Sequence, residues 1–174
     1  EEWEETTFPD ECFAKLGAQG FLGLDKPEEL GGQGGDYATA IVLAEEMGHA
    51  RSGGLAMAVG VQTDMAMPPI IAFGTEEQKQ QWVVPAIKGE KILCLGITEP
   101  DAGSDVAGIK TTAVRDGDEW VINGSKTYIT NGHSADVIVL VTKTDPDAGY
   151  GGFSLFLVPM DTPGVIREKK LQKL

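Results

Sequence analysis

The sequence has little of what most often carries crosslinking or metal chemistry. It holds two cysteines, Cys12 and Cys94, and two histidines, His49 and His133. Two distant cysteines make no disulfide scaffold, and neither C-x-x-C nor H-E-x-x-H occurs. A reducing, intracellular setting is the simpler expectation, and a histidine-built metal site is not expected. No uninterrupted apolar run reaches ~18 residues, so no membrane span is expected. Basic side chains are scarce: 14 Lys and Arg stand against 27 Asp and Glu, a net charge of −13. Residues 1–50 carry only two of those bases, Lys15 and Lys26. Such an acidic field repels phosphate backbones and anionic lipids, which excludes nucleic acid and membranes as first partners. A phosphorylated small molecule is not excluded, because backbone N–H groups bind phosphate without a cation. The acidic start Glu1-Glu2-Trp3-Glu4-Glu5 argues against a secretory signal or an Arg-rich transit peptide in the sequence as given.

The composition, 41% hydrophobic and 24% charged, is that of a globular chain. Residues 1–90 read as helical. Phe8, Cys12, Phe13 and Leu16 form one apolar stripe, with Pro9 at a first helical position. Gly31-Gly32-Gln33-Gly34-Gly35 reads as a plain loop; no strand precedes it and the third glycine of a dinucleotide fingerprint falls on Tyr37. Asp36 is an N-cap for a helix carrying Tyr37, Ile41, Ala44 and Met47. A further helix spans roughly 55–73, where Pro68-Pro69 should start or kink a turn rather than sit mid-helix. Thr75-Glu76-Glu77-Gln78 is a capping box, and Gly89 is the stop of the helix it opens.

Near residue 91 the apolar period changes from 3.6 to 2. Strands are expected at 92–98, 111–115, 119–122, 126–130, 137–141 and 153–158, with turns at Asp116-Gly117 and Asn123-Gly124. The expected class is α+β: a helical N-terminal half (1–90), then a small antiparallel barrel or sandwich (91–174). The ending Arg167 to Leu174 reads as a cut rather than a natural terminus.

Most chemistry-bearing residues have an ordinary reading. Asn123-Gly124-Ser125 is a turn rather than a glycosylation site. His49, His133, Glu45-Glu46 and Glu76-Glu77 read as structural or solvated. Two segments stand apart. In Gly96-Ile97-Thr98-Glu99-Pro100-Asp101-Ala102-Gly103-Ser104-Asp105-Val106-Ala107-Gly108, a strand runs into a loop of small residues. Gly103 and Ser104 expose N–H groups suited to a diphosphate, and Thr98 offers a hydroxyl at the strand end. Glu99 and Asp105 fit equally as loop-bracing caps, so ligand loop and braced loop stand level. In Tyr128-Ile129-Thr130-Asn131-Gly132, strand alternation would set Tyr128 and Thr130 on one face. An ordinary strand face is the simpler reading there, and a surface for a planar ring the other.

Together, and in this order, these segments resemble the acyl-CoA dehydrogenase family of flavoproteins. Leu16 to Gly23, Pro27 to Gly34 and Phe73 to Lys79 with Pro85 are similar to its helical part. Gly96 to Gly108 resembles its first signature, and Asn123 to Lys126 with Tyr128 to Gly132 the segment after it. The resemblance implies FAD and α,β-dehydrogenation of a fatty acyl-CoA thioester to the trans-2-enoyl-CoA, a step of fatty acid β-oxidation. Electrons would pass to an electron-transfer flavoprotein, and the full-length protein would be a homotetramer. Acyl-CoA oxidases and flavin monooxygenases share the architecture. Carried over by residue, Leu95, Ile97, Thr98, Gly103, Ser104, Tyr128, Ile129 and Thr130 would contact FAD, Thr130 near flavin N5, and Ser104 would also touch the CoA thioester. Tyr128 stands where the family often has Trp. Glu99 matches an acid the family does not use as its base. The family's first helix is expected before Glu1. Its C-terminal four-helix domain, which supplies the catalytic glutamate, is expected after Leu174. No catalytic base is therefore named here, and the chain alone is expected to bind FAD weakly and be inert. The expected compartment is the cytoplasm, with the mitochondrial matrix as the alternative.

Overall fold

The computed structural model describes residues 8–171. The acidic start and the last residues of the expected cut, Gln172 to Leu174, lie outside the described residues. Helix α1, Glu11–Ala18, buries Phe13. Phe8, Cys12 and Leu16 of the expected stripe are half-buried beside it. The loop at 31–35 is indeed a connector. Its five amides, from Gly31 to Gly35, all donate to carbonyls between Gly23 and Glu28. No donor remains there for a phosphate.

Helix α2, Tyr37–His49, starts where Asp36 accepts from Thr39 N–H at 3.1 Å. Its expected apolar face is not buried within the described residues, and Tyr37 is 79% exposed. Helix α3 runs unbroken over Gly53–Phe73. Its middle, Val61–Ala66, is a wide π turn, followed at once by Met67 and the two prolines. Pro68-Pro69 thus sits inside a helix, contrary to the sequence reading. The wide turn relaxes the hydrogen-bond ladder where the prolines lack N–H groups. By length and composition alone α3 is apolar enough to cross a bilayer. It carries Gln62, Thr63 and Asp64 mid-span, and it packs as a core helix through Ala58, Val59, Ala66, Met67 and Ile70. Helix α4, 76–87, opens on the full Thr75–Gln78 capping box. It is followed by Gly89 in left-handed backbone, φ +72°, where a Cβ would strike the Phe13 carbonyl.

The sheet follows the helices, so the α+β order stands as expected. Its strands are β1 Leu93–Gly96, β2 Thr112–Asp116, β3 Glu119–Asn123, β4 Val137–Lys143 and β5 Phe153–Pro159. The pairing is mixed rather than wholly antiparallel. β1 lies parallel to β4, β2 meets β4 in parallel at Lys143, and β2–β3 and β4–β5 are antiparallel. A period of 2 marks a strand but not its direction. The connections set that, and here β2 and β3 are inserted between β1 and β4. The Asp116-Gly117 turn forms as expected. The Asn123-Gly124 hairpin does not, and 126–130 is not a strand. Gly124 lies against the Thr111 side chain, and the chain after it crosses to β1 instead.

β4 is central. β5 borders one edge along its whole length, and β1 then β2 share the other. One core packs Leu93, Val137 and Val139 under Ala66, Met67, Ile70, Trp82 and Val83. A second packs Cys94 and Ile138 under Phe13, Leu22, Ala58 and Val59. Thr142 of β4 is fully buried, and its hydroxyl has no partner among the described residues. Thr142→Val should therefore raise stability by about 1 kcal/mol. The check is the urea midpoint, which should rise with no change in m.

Candidate functional site

Among the described residues, β1 has a strand neighbour on one edge only. Alternate residues face β4, as the Ile92 carbonyl does by accepting from Asp136 N–H. Leu93, Leu95 and Ile97 direct their backbone groups to the other edge. That edge is covered by helix α3 and by segment 126–131, which runs beside β1 as an irregular strap. At one end, Leu93 N–H donates to Gln62 Oε1 at 3.1 Å, and its carbonyl accepts from Asn131 Nδ2 at 3.2 Å. At the other, Lys126 Nζ donates to the Ile97 carbonyl at 2.9 Å, and Thr127 N–H to the Thr98 carbonyl at 2.9 Å. Tyr128, Ile129 and Thr130 are thereby held opposite the middle of β1.

Tyr128 has φ +56° and Asn131 φ +66°. Left-handed backbone is ordinary for asparagine but costs a bulky residue about 1–2 kcal/mol. The strap therefore does not alternate, and the expectation that Tyr128 and Thr130 share a strand face is withdrawn. Tyr128 is 68% exposed. Ile129 packs inward on the core around Phe13 and Ala58, and Thr130 is half-buried.

Past β1, a reciprocal pair of hydrogen bonds between Glu99 and Ala102 closes the turn at Pro100-Asp101. Ile97 turns inward on Ala102, Ile109 and Val141, and Leu95 on the core under α3. These two residues can thus offer a ligand their backbone rather than their side chains. Gly103 and Ser104 are exposed. A Cβ on Gly103 would meet only the Thr98 methyl, at 4.0 Å. Thr98 is thus the common neighbour of the glycine loop and the strap.

The hydrogen-bond pattern separates this loop from the other glycine loop. Among the described residues, the amides of Gly103, Ser104 and Asp105 reach no acceptor. Neither do the hydroxyls of Thr98, Ser104 and Thr130 find any partner there. Donors left open around one loop and strap suit an anionic group beside a polar heterocycle.

Glu99 is the brace of this corner. Its carboxylate is buried, accepting from Lys110 N–H at 2.6 Å, Thr111 N–H at 3.0 Å, the Thr111 hydroxyl at 2.5 Å and Lys126 Nζ at 2.8 Å. Burial by itself would raise its pKa. The donors, led by the Lys126 ammonium, outweigh burial and hold it at about 2. Burial draws Lys126 below its ordinary value, with Glu99 opposing. Of the two readings of Glu99, the brace is the one the geometry bears out. Asp105 accepts from Gly108 N–H through its backbone carbonyl alone. His49 and His133 are exposed.

Sequence reasoning gave no role to Gln62, Lys126 or the Asn131 side chain. Asn131 is within the Tyr128–Gly132 segment, and asparagine in a turn is a hint of left-handed backbone. Its partners lie 38 and 73 residues away, and no local signal carries that.

The sequence profile described as acyl-CoA dehydrogenase, N-terminal domain, matches residues 1–90, and that for the middle domain matches 94–174. Human mitochondrial short-chain specific acyl-CoA dehydrogenase is 43% identical over 173 residues, 98% of this chain and 41% of that protein. The crystal structure of an acyl-CoA dehydrogenase from Geobacillus kaustophilus superposes with a TM-score of 0.89 at 45% identity, over 95% of this chain and 44% of that one. A prolyl acyl carrier protein oxidase superposes at 0.90 with 35% identity, over 95% and 44%. The chain thus spans under half the length of these relatives.

The pH dependence of the brace follows from its direction. Glu99 drops from an ordinary 4.5 to about 2 on folding, so its stabilisation is complete above pH ~5. It is lost as pH falls toward 2, a contribution of about 3 kcal/mol. Glu99→Gln should flatten that acid limb and, by leaving Lys126 buried and unpaired, lower stability at pH 7 by about 3–5 kcal/mol. The double change Glu99→Gln, Lys126→Met should recover part of the loss; urea titrations across pH 2–7 read both effects. From its first helix to its last strand, this chain belongs to the acyl-CoA dehydrogenase family, whose N-terminal and middle domains it matches.

Proposed function

We propose that this chain supplies the N-terminal and middle domains, 1–90 and 91–174, of an FAD-dependent acyl-CoA dehydrogenase. The observation that carries the reading is the set of open donors at Thr98, Gly103, Ser104 and Thr130, on a loop and a strap that meet at Thr98. The residues present fit FAD. The amides of Gly103 and Ser104 and the Ser104 hydroxyl would hold the diphosphate. Thr98 and the Leu95–Ile97 backbone would meet the polar edge of the ring system. Tyr128, Ile129 and Thr130 would border the ring, Thr130 closest to N5, and Ser104 would also touch the acyl-CoA thioester. When bound, FAD supplies the hydride acceptor for α,β-dehydrogenation of a fatty acyl-CoA.

What the chain's own groups do is bind and orient. The strap holds Thr130 in place without sheet pairing. Glu99 is no base for the α proton, because four donors hold it ionised and buried at a pKa of about 2. No residue of this chain is assigned that role. The electron acceptor would be an electron-transfer flavoprotein, the assembly a homotetramer, and the compartment the cytoplasm or the mitochondrial matrix. The second reading is an acyl oxidase, favoured by the close likeness to the acyl carrier protein oxidase.

The full-length protein, saturated with FAD, should reduce an artificial dye in the presence of acyl-CoA. Absence of reduction at every acyl length tried overturns the dehydrogenase reading, and hydrogen peroxide formed one-to-one with enoyl product selects the oxidase. Ser104→Ala and Thr130→Val should each weaken FAD binding about five- to tenfold by fluorescence titration, the size of one lost hydrogen bond. Their melting temperatures should stay near the parent's.

A further inference from the structure

We propose that Asn131 is a positioning residue for the flavin edge, acting through the neighbouring Thr130 by pinning the strap to both helix α3 and strand β1. The proposal rests on the flavin reading above and adds a residue to it. Its basis is the place of one side chain. Asn131 Nδ2 donates to the Ala58 carbonyl at 2.9 Å and to the Leu93 carbonyl at 3.2 Å. Ala58 lies in α3 just before the wide π turn, and Leu93 opens β1. One amide therefore joins the helical half, the sheet and the strap.

Gln62 completes the clamp from within the π turn. It is fully buried, donates to the Ala86 and Lys91 carbonyls at 3.0 and 3.3 Å, and accepts from Leu93 N–H at 3.1 Å. Both backbone groups of Leu93 on the open edge of β1 are thus met by side-chain amides, where a neighbouring strand would ordinarily meet them. Asn131 can do this because its left-handed backbone, φ +66°, turns the chain back after Thr130. The Asn131 carbonyl also accepts from Ser134 and Ala135 N–H at 3.0 and 2.8 Å. The strap is fixed at its far end by Lys126 and Thr127. Between the two anchors, Thr130 is next to the Asn131 pin and has no hydrogen bond of its own among the described residues. Ile129 on its other side packs into the core, and its carbonyl accepts from Gly132 N–H at 3.0 Å. The Asn131 amide ties that turn to α3 and β1, so the place of the Thr130 hydroxyl depends on Asn131.

The test uses the full-length protein with FAD and two substitutions that separate backbone from side chain. Asn131→Gly keeps the left-handed conformation and removes both hydrogen bonds. Asn131→Asp keeps the size and turns an acceptor toward two carbonyls. A third variant, Thr75→Ala, breaks the capping box far from the strap and serves as the stability control. Both Asn131 variants should raise the FAD dissociation constant about tenfold and change the visible flavin absorbance. Amide exchange over 126–131 of the apoprotein should speed up by a similar factor. Thr75→Ala should lower the melting temperature and move none of these. If the Asn131 variants lose stability yet bind FAD with the parent's affinity and spectrum, the proposal is overturned and the residue is only structural. If the parent itself takes up no FAD, the flavin reading fails, and this inference falls with it for that separate reason.

Discussion

The outer edge of β1 is the constraint on which the rest of the structure turns. A strand buried in the core must satisfy its backbone groups on both sides, and among the described residues β1 has another strand on only one. An unmet buried amide or carbonyl costs about 1–3 kcal/mol. The chain meets the demand at the two ends of that edge with side chains and an irregular segment: Gln62 from the helix, Asn131, Lys126 and Thr127 from the strap. The π turn in α3, the left-handed residues 128 and 131 and the failed hairpin at Asn123-Gly124 all belong to that one solution. The helical half and the sheet are joined there by directional bonds as well as by apolar packing.

That solution also shapes what the corner can bind. A paired strand would have engaged the middle of the edge, whereas a strap anchored at its ends leaves it open. Polar donors at Thr98 and Thr130 stay unpartnered because the groups around them are pinned from elsewhere. The Glu99–Lys126 pair does the same for the loop beyond, bracing Lys110 and Thr111 from beneath while the Gly103–Asp105 amides face outward. The two glycine-containing loops thus differ in kind: the amides of 31–35 are all met within the chain, and those of 103–105 reach no acceptor among the described residues.

Much of the fold was legible where the information is local. The Asp36 cap, the Thr75–Gln78 box, the Gly89 stop and the Asp116-Gly117 turn each depend on three or four adjacent residues, and each forms as read. The helices-then-sheet order was legible from the change of period. What was not legible is tertiary. Asn123-Gly124 has hairpin chemistry, yet the demand of a strand 30 residues earlier draws the following segment away. The prolines at 68 and 69 read as helix breakers because the wide turn that admits them is set by packing. The parallel partnership of β1 with β4 depends on what is inserted between them. The loop at 96–108 and the strap that carries Tyr128–Gly132, each distinctive in sequence, lie side by side through the Thr127 N–H on the Thr98 carbonyl. Gln62 and Lys126 went unread because a lone polar residue in a helix or turn does not announce a partner 29 or 31 residues away.

Because the strap belongs to no ladder, its surface is mechanically independent of strand register. A residue exchanged in a paired strand must fit its cross-strand neighbours, and a one-residue slip there inverts every face. Tyr128, by contrast, stands between two fixed anchors in a segment that is not a strand. An exchange at this position therefore meets no register constraint, and the sheet beneath keeps its alignment through it.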